Sequence, residues 1–186
     1  MSNILLIIIN ITIFVMFNMQ LSGDALNQWL IGWGINYMTF ADKPITWISS
    51  GFIHANLSHI AMNMLFLFLI GWRAEKTIGS FLYTTVYFLS LIASSFASVL
   101  YIINVDGLTN VVGASGAIFG VFAFSSVVSR SFKRFVWDST VFHIMVFVFD
   151  MPIAWYAHLG GAIVGIVCGI VALVVFKFKG RHLYEY

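Results

Sequence analysis

Charge is what this sequence has least of. Only 9% of its 186 residues are Asp, Glu, Lys or Arg, where a soluble domain carries about a quarter. With 61% hydrophobic residues and a mean hydropathy of +0.97, that shortage excludes a soluble globule and points to an integral membrane protein. Cysteine is nearly missing too: Cys168 stands alone in an apolar run, so no intrachain disulfide can form, the redox compartment stays unread, and packing is its natural role. The net charge of +2 is no sign of nucleic acid, because the few basic residues flank apolar runs and read as topology signals. No Lys or Arg precedes the first apolar run and no small-x-small cleavage site follows it, so that run is a membrane helix, not a signal peptide. Internal repeats and low-complexity tracts are absent.

About 20 apolar residues cross a bilayer as a helix. Six such stretches are present, at residues 3–21, 55–72, 81–103, 111–129, 138–150 and 153–176. They leave short loops and no room for a separate soluble domain, so residues 1–186 are expected to form one membrane domain. The expected fold is all-α, a polytopic bundle of six transmembrane helices with a long interfacial first loop. The fifth stretch is short and holds Asp138 and His143.

Cytoplasmic loops are enriched in Lys and Arg. Arg73 and Lys76 follow span two, Arg130, Lys133 and Arg134 follow span four, and Lys177, Lys179 and Arg181 follow span six. On the other side Lys43 is the one basic residue, among Asp24, Asp42, Asp106 and Asp150. Both termini are therefore expected in the cytoplasm. In the first loop, Trp29, Trp33 and Tyr37 recur every four residues, followed by Phe40 and Trp47. That spacing predicts an aromatic stripe on one helical face, suited to the outer headgroup layer.

Polar groups inside spans are functional candidates by default. His59 and Asn63 lie four apart in span two and share a helix face; Ser115 stands in Gly113-Ala114-Ser115-Gly116 of span four; His158 stands in Ala157-His158-Leu159-Gly160-Gly161 of span six. The three even-numbered spans run from the outer face inward, which puts these groups about 5–8 Å below the outer interface. Gly161, Gly165 and Gly169 recur every four residues on span six, and Gly116 and Gly120 do so on span four. Such faces let helix backbones approach closely, and packing them together sets His158 beside Ser115.

A serine hydroxyl becomes nucleophilic when a neighbouring base takes its proton, and a neutral imidazole is the usual base. With no Asp or Glu at that depth, Ser115 and His158 are expected to act as a dyad. His59, Asn63 and the Ser115 N–H are candidate donors to a developing oxyanion.

Taken together, His54-x4-His59-x3-Asn63, Gly113-x-Ser115-Gly116 and Ala157-His158-x2-Gly161-x3-Gly165 resemble the rhomboid family of intramembrane serine proteases. The resemblance covers almost the whole chain. It implies Ser115 as nucleophile, His158 as general base, and His59 with Asn63 as oxyanion partners, supported by Gly113, Gly116, Gly161 and Gly165. It also implies peptide-bond hydrolysis in transmembrane segments of other membrane proteins, cut near the outer surface after small residues. A bacterial inner-membrane location, with lipid as the surroundings and the site opening to the periplasm, fits this reading. No metal, cofactor or nucleic acid is implied. Two positions depart from the family: Phe119 stands where a Tyr often follows the nucleophile by one turn, and Ile48 follows Trp47 where an Arg is common. Many relatives carry a cytoplasmic domain before the first span; none is expected here.

A metal or haem protein fits the histidines poorly, because His54 and His59 point about 140° apart on a helix, His182 is in the tail and His143 in another span. A module that captures membrane helices without cutting them would usually lack a dyad member, and both are present. Span five and the aromatic loop are both candidate gates. His143 is expected to pack or hydrogen-bond within the bundle and is assigned no chemistry.

Overall fold

A backbone immersed in hydrocarbon has no water to bond, and a helix satisfies its peptide groups within one segment. The computed structural model describes residues 1–148 and 153–178. Helix α1 spans Ser2–Ile13 and widens into a π turn at Phe14–Asn18; α2 is Gly23–Trp33 and α3 the short Thr46–Ser49. Helix α4, Leu57–Phe66, continues through a π turn at Leu67–Gly71 into α5, Trp72–Ile78. Then come α6, Ser80–Asn104, α7, Ser115–Val128, α8, Phe132–Val148, and α9, Trp155–Phe178. Two short strands, β1 (Ile35–Asn36) and β2 (Asn110–Val111), pair antiparallel with Ile35 opposite Val111.

Three stretches, Leu57–Ile78, Ser80–Asn104 and Trp155–Val175, are long and apolar enough to cross a membrane, and Ser2–Asn18 and Ser115–Val128 are shorter apolar helices. Large apolar side chains point outward along them, among them Ile4 of α1, Phe96 of α6 and Val167 of α9. Apolar exposure on this scale suits lipid, not water. The chain is an all-α, polytopic integral membrane protein.

Helix α7 is the axis. Eleven of its fourteen residues are buried, with α4, α6, α8 and α9 around it. Along α9, a Cβ on Gly161 would collide with the Gly116 carbonyl and one on Gly165 with the Gly120 carbonyl. The two backbones therefore touch with no side chain between, and α9 runs parallel to α7. Helix α6 runs the other way, presenting Ser94 to Gly116 and Ser90 to Gly120. Helix α8 also returns: Asp138 lines a cavity with Val128, Ser129, Arg73 and Arg134, while Phe142, a turn later, lies 5.1 Å edge-on to Phe119. Cys168 is a half-buried free thiol packed against the core.

The first apolar helix is fixed at both ends. Glu75 accepts from the Met1 amine (2.5 Å), the Ser2 N–H (2.7 Å) and the Asn3 N–H (3.1 Å), gathering donors that a helix start leaves unsatisfied. Asn18 Nδ2 donates to the His54 carbonyl at 2.6 Å.

Four boundaries differ from the sequence reading, the first being the end of span two, which runs on as helix through Arg73 and Lys76 to Ile78 instead of stopping at 72. The aromatic stripe breaks at Trp33, because Gly34 turns extended and the chain enters β1, leaving Tyr37 exposed off the helix. A Cβ on Gly34 would also meet the Leu30 carbonyl at 2.7 Å. Helix α7 begins at Ser115, not 111, because Asn110–Val111 is the strand β2. Helix α8 begins at Phe132, six residues before the apolar run, through a segment that carries Lys133 and Arg134. Asp150, Lys179, Arg181 and His182, and the end of the fifth span beyond Val148, lie outside the described residues.

Candidate active site

Ser115 opens α7, and its position follows from the loop before it. Gly113 adopts φ +118°, a backbone conformation that side-chain-bearing residues rarely take, and its N–H donates to the Ser50 carbonyl at 2.8 Å. A Cβ there would stand 2.6 Å from His59 Nε2. Glycine thus serves both the turn and the close approach of the imidazole. The same loop is tied to the first loop: Asn36 Nδ2 donates to Asn110 Oδ1 at 2.9 Å, and Asn110 Nδ2 to the Leu30 carbonyl at 3.1 Å.

The first turn of α4 delivers His59. Asn56 caps the helix, its Oδ1 accepting the His59 N–H at 2.8 Å. The Ala55 N–H donates to His59 Nδ1 at 3.4 Å, which leaves the proton of the neutral ring on Nε2, the nitrogen beside Gly113. Asn63, only 1% exposed, lies one turn on and donates one amide hydrogen to the His59 carbonyl at 2.9 Å. Its second remains free, and a Cβ on Gly113 would be 3.8 Å from that nitrogen. Behind His59, His54 is fully buried, its ring edge-on at 5.0 Å.

From α9, His158 Nε2 comes within 2.9 Å of Ser115 Oγ. The ring is 7% exposed and stacks on Phe119, with centroids 4.3 Å apart and planes 3° from parallel. Where Tyr is common in the family, Phe119 keeps the stacking surface and drops the hydroxyl. Phe142 meets His158 edge-on at 5.6 Å. Helices α4, α7 and α9 therefore bring Ser115, His158, His59 and Asn63 to one end of the bundle. The glycine faces of α7 and α9 are what join the first two.

Around the site, the first loop is held by bonds that the sequence reading did not locate. Trp47 Nε1 donates to the Phe40 carbonyl at 2.8 Å, and Ser95 Oγ to the Trp47 carbonyl at 2.8 Å. Lys43 Nζ donates to the Gly32 carbonyl at 2.6 Å and sits 3.7 Å from the centre of the Trp33 ring. Trp47 is thus anchored without the arginine that often follows it in the family. Ser90, Ser94 and Ser98, four residues apart on α6, carried a visible small-residue signal for the seat of Gly116 and Gly120. The Asn110 tie had none.

A membrane-embedded helical bundle with a serine hydroxyl hydrogen-bonded to a buried imidazole, beside two further side-chain N–H donors, has the parts of a serine hydrolase built within a bilayer. Residues 41–175 match the Rhomboid domain, and the chain belongs to the rhomboid family. It is similar to Rhomboid protease AarA of Providencia stuartii, 26% identical over 91% of this chain and 72% of that protein. It is also similar to RHOMBOID-like protein 4 of Arabidopsis thaliana, 27% identical over 79% of this chain and 39% of that protein. Rhomboid protein 1, mitochondrial, of Saccharomyces cerevisiae is 28% identical over 77% of this chain and 46% of its own length. The chain thus spans less than half the length of the last two relatives.

Proposed function

We propose that this chain is an intramembrane serine protease that hydrolyses peptide bonds in or near transmembrane segments of other membrane proteins. The observation that carries the reading is the 2.9 Å contact between Ser115 Oγ and His158 Nε2, held by the bare backbone contact of α7 with α9. Ser115 Oγ attacks the scissile carbonyl carbon as its proton passes to His158 Nε2. The imidazolium then gives that proton to the leaving amine, and a water activated by the same nitrogen hydrolyses the acyl-enzyme. His59 Nε2–H and the free Asn63 amide hydrogen serve the oxyanion, with the Ser115 N–H, which the first turn of α7 leaves without an intrahelical partner. Gly113, Gly116, Gly161 and Gly165 support this arrangement by admitting His59 and α9. Substrates with small residues before the cut suit the family resemblance.

The same proposal has one membrane domain crossing six times, in a bacterial inner membrane, with both termini cytoplasmic, lipid at its flanks and the site toward the periplasm. Support comes from the charge asymmetry of the loops and from the parallel course of α7 and α9 with α8 returning between them. At about 1.5 Å per residue the 17 residues of α8 reach about 25 Å.

The test is labelling of the purified protein with a fluorophosphonate probe, repeated with Ser115→Ala. The expected result is labelling of the wild type alone, and loss of transmembrane-substrate cleavage in Ser115→Ala and His158→Ala while thermal unfolding is retained. Labelling that survives Ser115→Ala, or a wild type that never labels, overturns the reading.

A further inference from the structure

The imidazole of His158 is used on one edge only. Its Nε2 faces Ser115, whereas Nδ1 is buried without a hydrogen-bond partner in a residue 7% exposed. A base that receives a proton on Nε2 carries its own on Nδ1, and a buried N–H lacking an acceptor is unfavourable. That need grows when the ring becomes imidazolium. A carboxylate accepts this proton in a Ser-His-Asp triad. Among the described residues neither α7 nor α9 carries one, and Asp138 lies at the far end of α8, in the cavity with Arg73 and Arg134.

His143 is the titratable side chain of α8 that packs against this imidazole. It lies on α8, one residue past Phe142, with its ring 5.8 Å from that of His158 and inclined at 71°. Both rings meet Phe119, His158 face-on and His143 at 5.4 Å edge-on. His143 Nδ1 lies 2.8 Å from the Ser139 carbonyl, one turn back on its own helix. A carbonyl can only accept, so the proton of neutral His143 is on Nδ1 and its Nε2 is a bare acceptor. An imidazole N–H···N bond of about 3 Å places aligned ring centres roughly 5.3 Å apart, so the observed 5.8 Å separation puts such a bond within reach of a small reorientation of the two rings.

Resting on the protease reading, we propose that His143 is a positioning residue for the reaction: its Nε2 accepts the Nδ1–H of His158, fixing the tautomer and orientation of the base in a Ser115-His158-His143 relay. Among the described residues the titratable groups around the pair are His158 itself from α9, His59 from the first turn of α4, and His54, which precedes α4 and packs against His59. On the helix of His143, Asp138 lies five residues back, toward Arg73 and Arg134, and α7 offers none.

The experiment is a pH profile of kcat and KM for wild type, His143→Leu, His143→Phe and His143→Gln on one transmembrane-segment substrate, with thermal unfolding of each. Leu and Phe differ in volume and both remove the acceptor, and the result is read from those that unfold like wild type. Both are expected to lower kcat about tenfold or more with KM little changed, and to move the acidic limb of kcat/KM to lower pH, because the imidazolium loses its acceptor. His143→Gln, whose amide oxygen accepts without titrating, is expected to restore most of kcat. A folded Leu or Phe variant with unchanged kcat and acidic limb overturns the role of His143, as does an equal loss in all three variants. A wild type that neither cleaves nor takes the serine probe overturns the protease reading itself, a result distinct from either.

Discussion

Gly113 shows how much of the site depends on one missing side chain. Its φ of +118°, and the mere 2.6 Å that would separate an added Cβ from His59 Nε2, give Gly113→Ala two separate faults. The strain costs about 1–3 kcal/mol, and the displaced imidazole no longer points where the proposed oxyanion would form. Loss of one such donor lowers kcat about 10²- to 10³-fold, so Gly113→Ala is expected to keep its helical circular dichroism while losing most of its turnover. Acid titration belongs to this scale as well. Only the neutral ring of His158 can take the Ser115 proton, so kcat/KM is expected to fall tenfold per pH unit once the ring protonates. A rate that stays flat down to the pH at which the fold is lost would exclude an imidazole base. The candidate site residues were legible because polar groups in apolar runs stand out and because glycine spacing names the helix pair that joins them. The partner of His59 Nδ1 was not, since a backbone N–H leaves no mark in a sequence.

Among elements, the α7–α9 contact is the one most exposed to mutation. Gly161 and Gly165 abut the carbonyls of Gly116 and Gly120, so any added methyl pushes backbone against backbone. Overpacking of a core costs about 1–3 kcal/mol, and backbone cannot yield as a side chain does. Gly161→Val is therefore expected to lower thermal stability in detergent by at least that amount and to abolish probe labelling. Gly169→Ala, where a Cβ meets the Val127 side chain first, is expected to do less. Helices were legible from their apolar runs, whereas several starts and stops were not. Gly34 ends α2 because the chain turns to pair with Asn110–Val111, a partner remote in sequence that also delays α7 to Ser115. The first turns of α8 hold Lys133 and Arg134, which a count of apolar residues passes over.

For the whole molecule, the courses of the helices predict where the unpaired ends lie. Helices α4, α7 and α9 descend from the Ser115 end, and α1, α6 and α8 climb back to it. Reporter tags or accessible cysteines at residues 153–154 are expected to face the same side as those near Asp106, and opposite those near Arg130. Tags at 153–154 on the Arg130 side would put the start of α9 at the wrong leaflet and break the Ser115–His158 pairing.

Where Gly161 and Gly165 meet Gly116 and Gly120, α7 and α9 have no rotamers to absorb a push. On the protease reading, a guest helix entering beside the site does not wedge between them, and α8 and the first loop are the elements left to give way. Ser115 and His158 consequently travel as a single rigid keel, and on the protease reading their alignment does not have to be rebuilt each time a substrate is admitted.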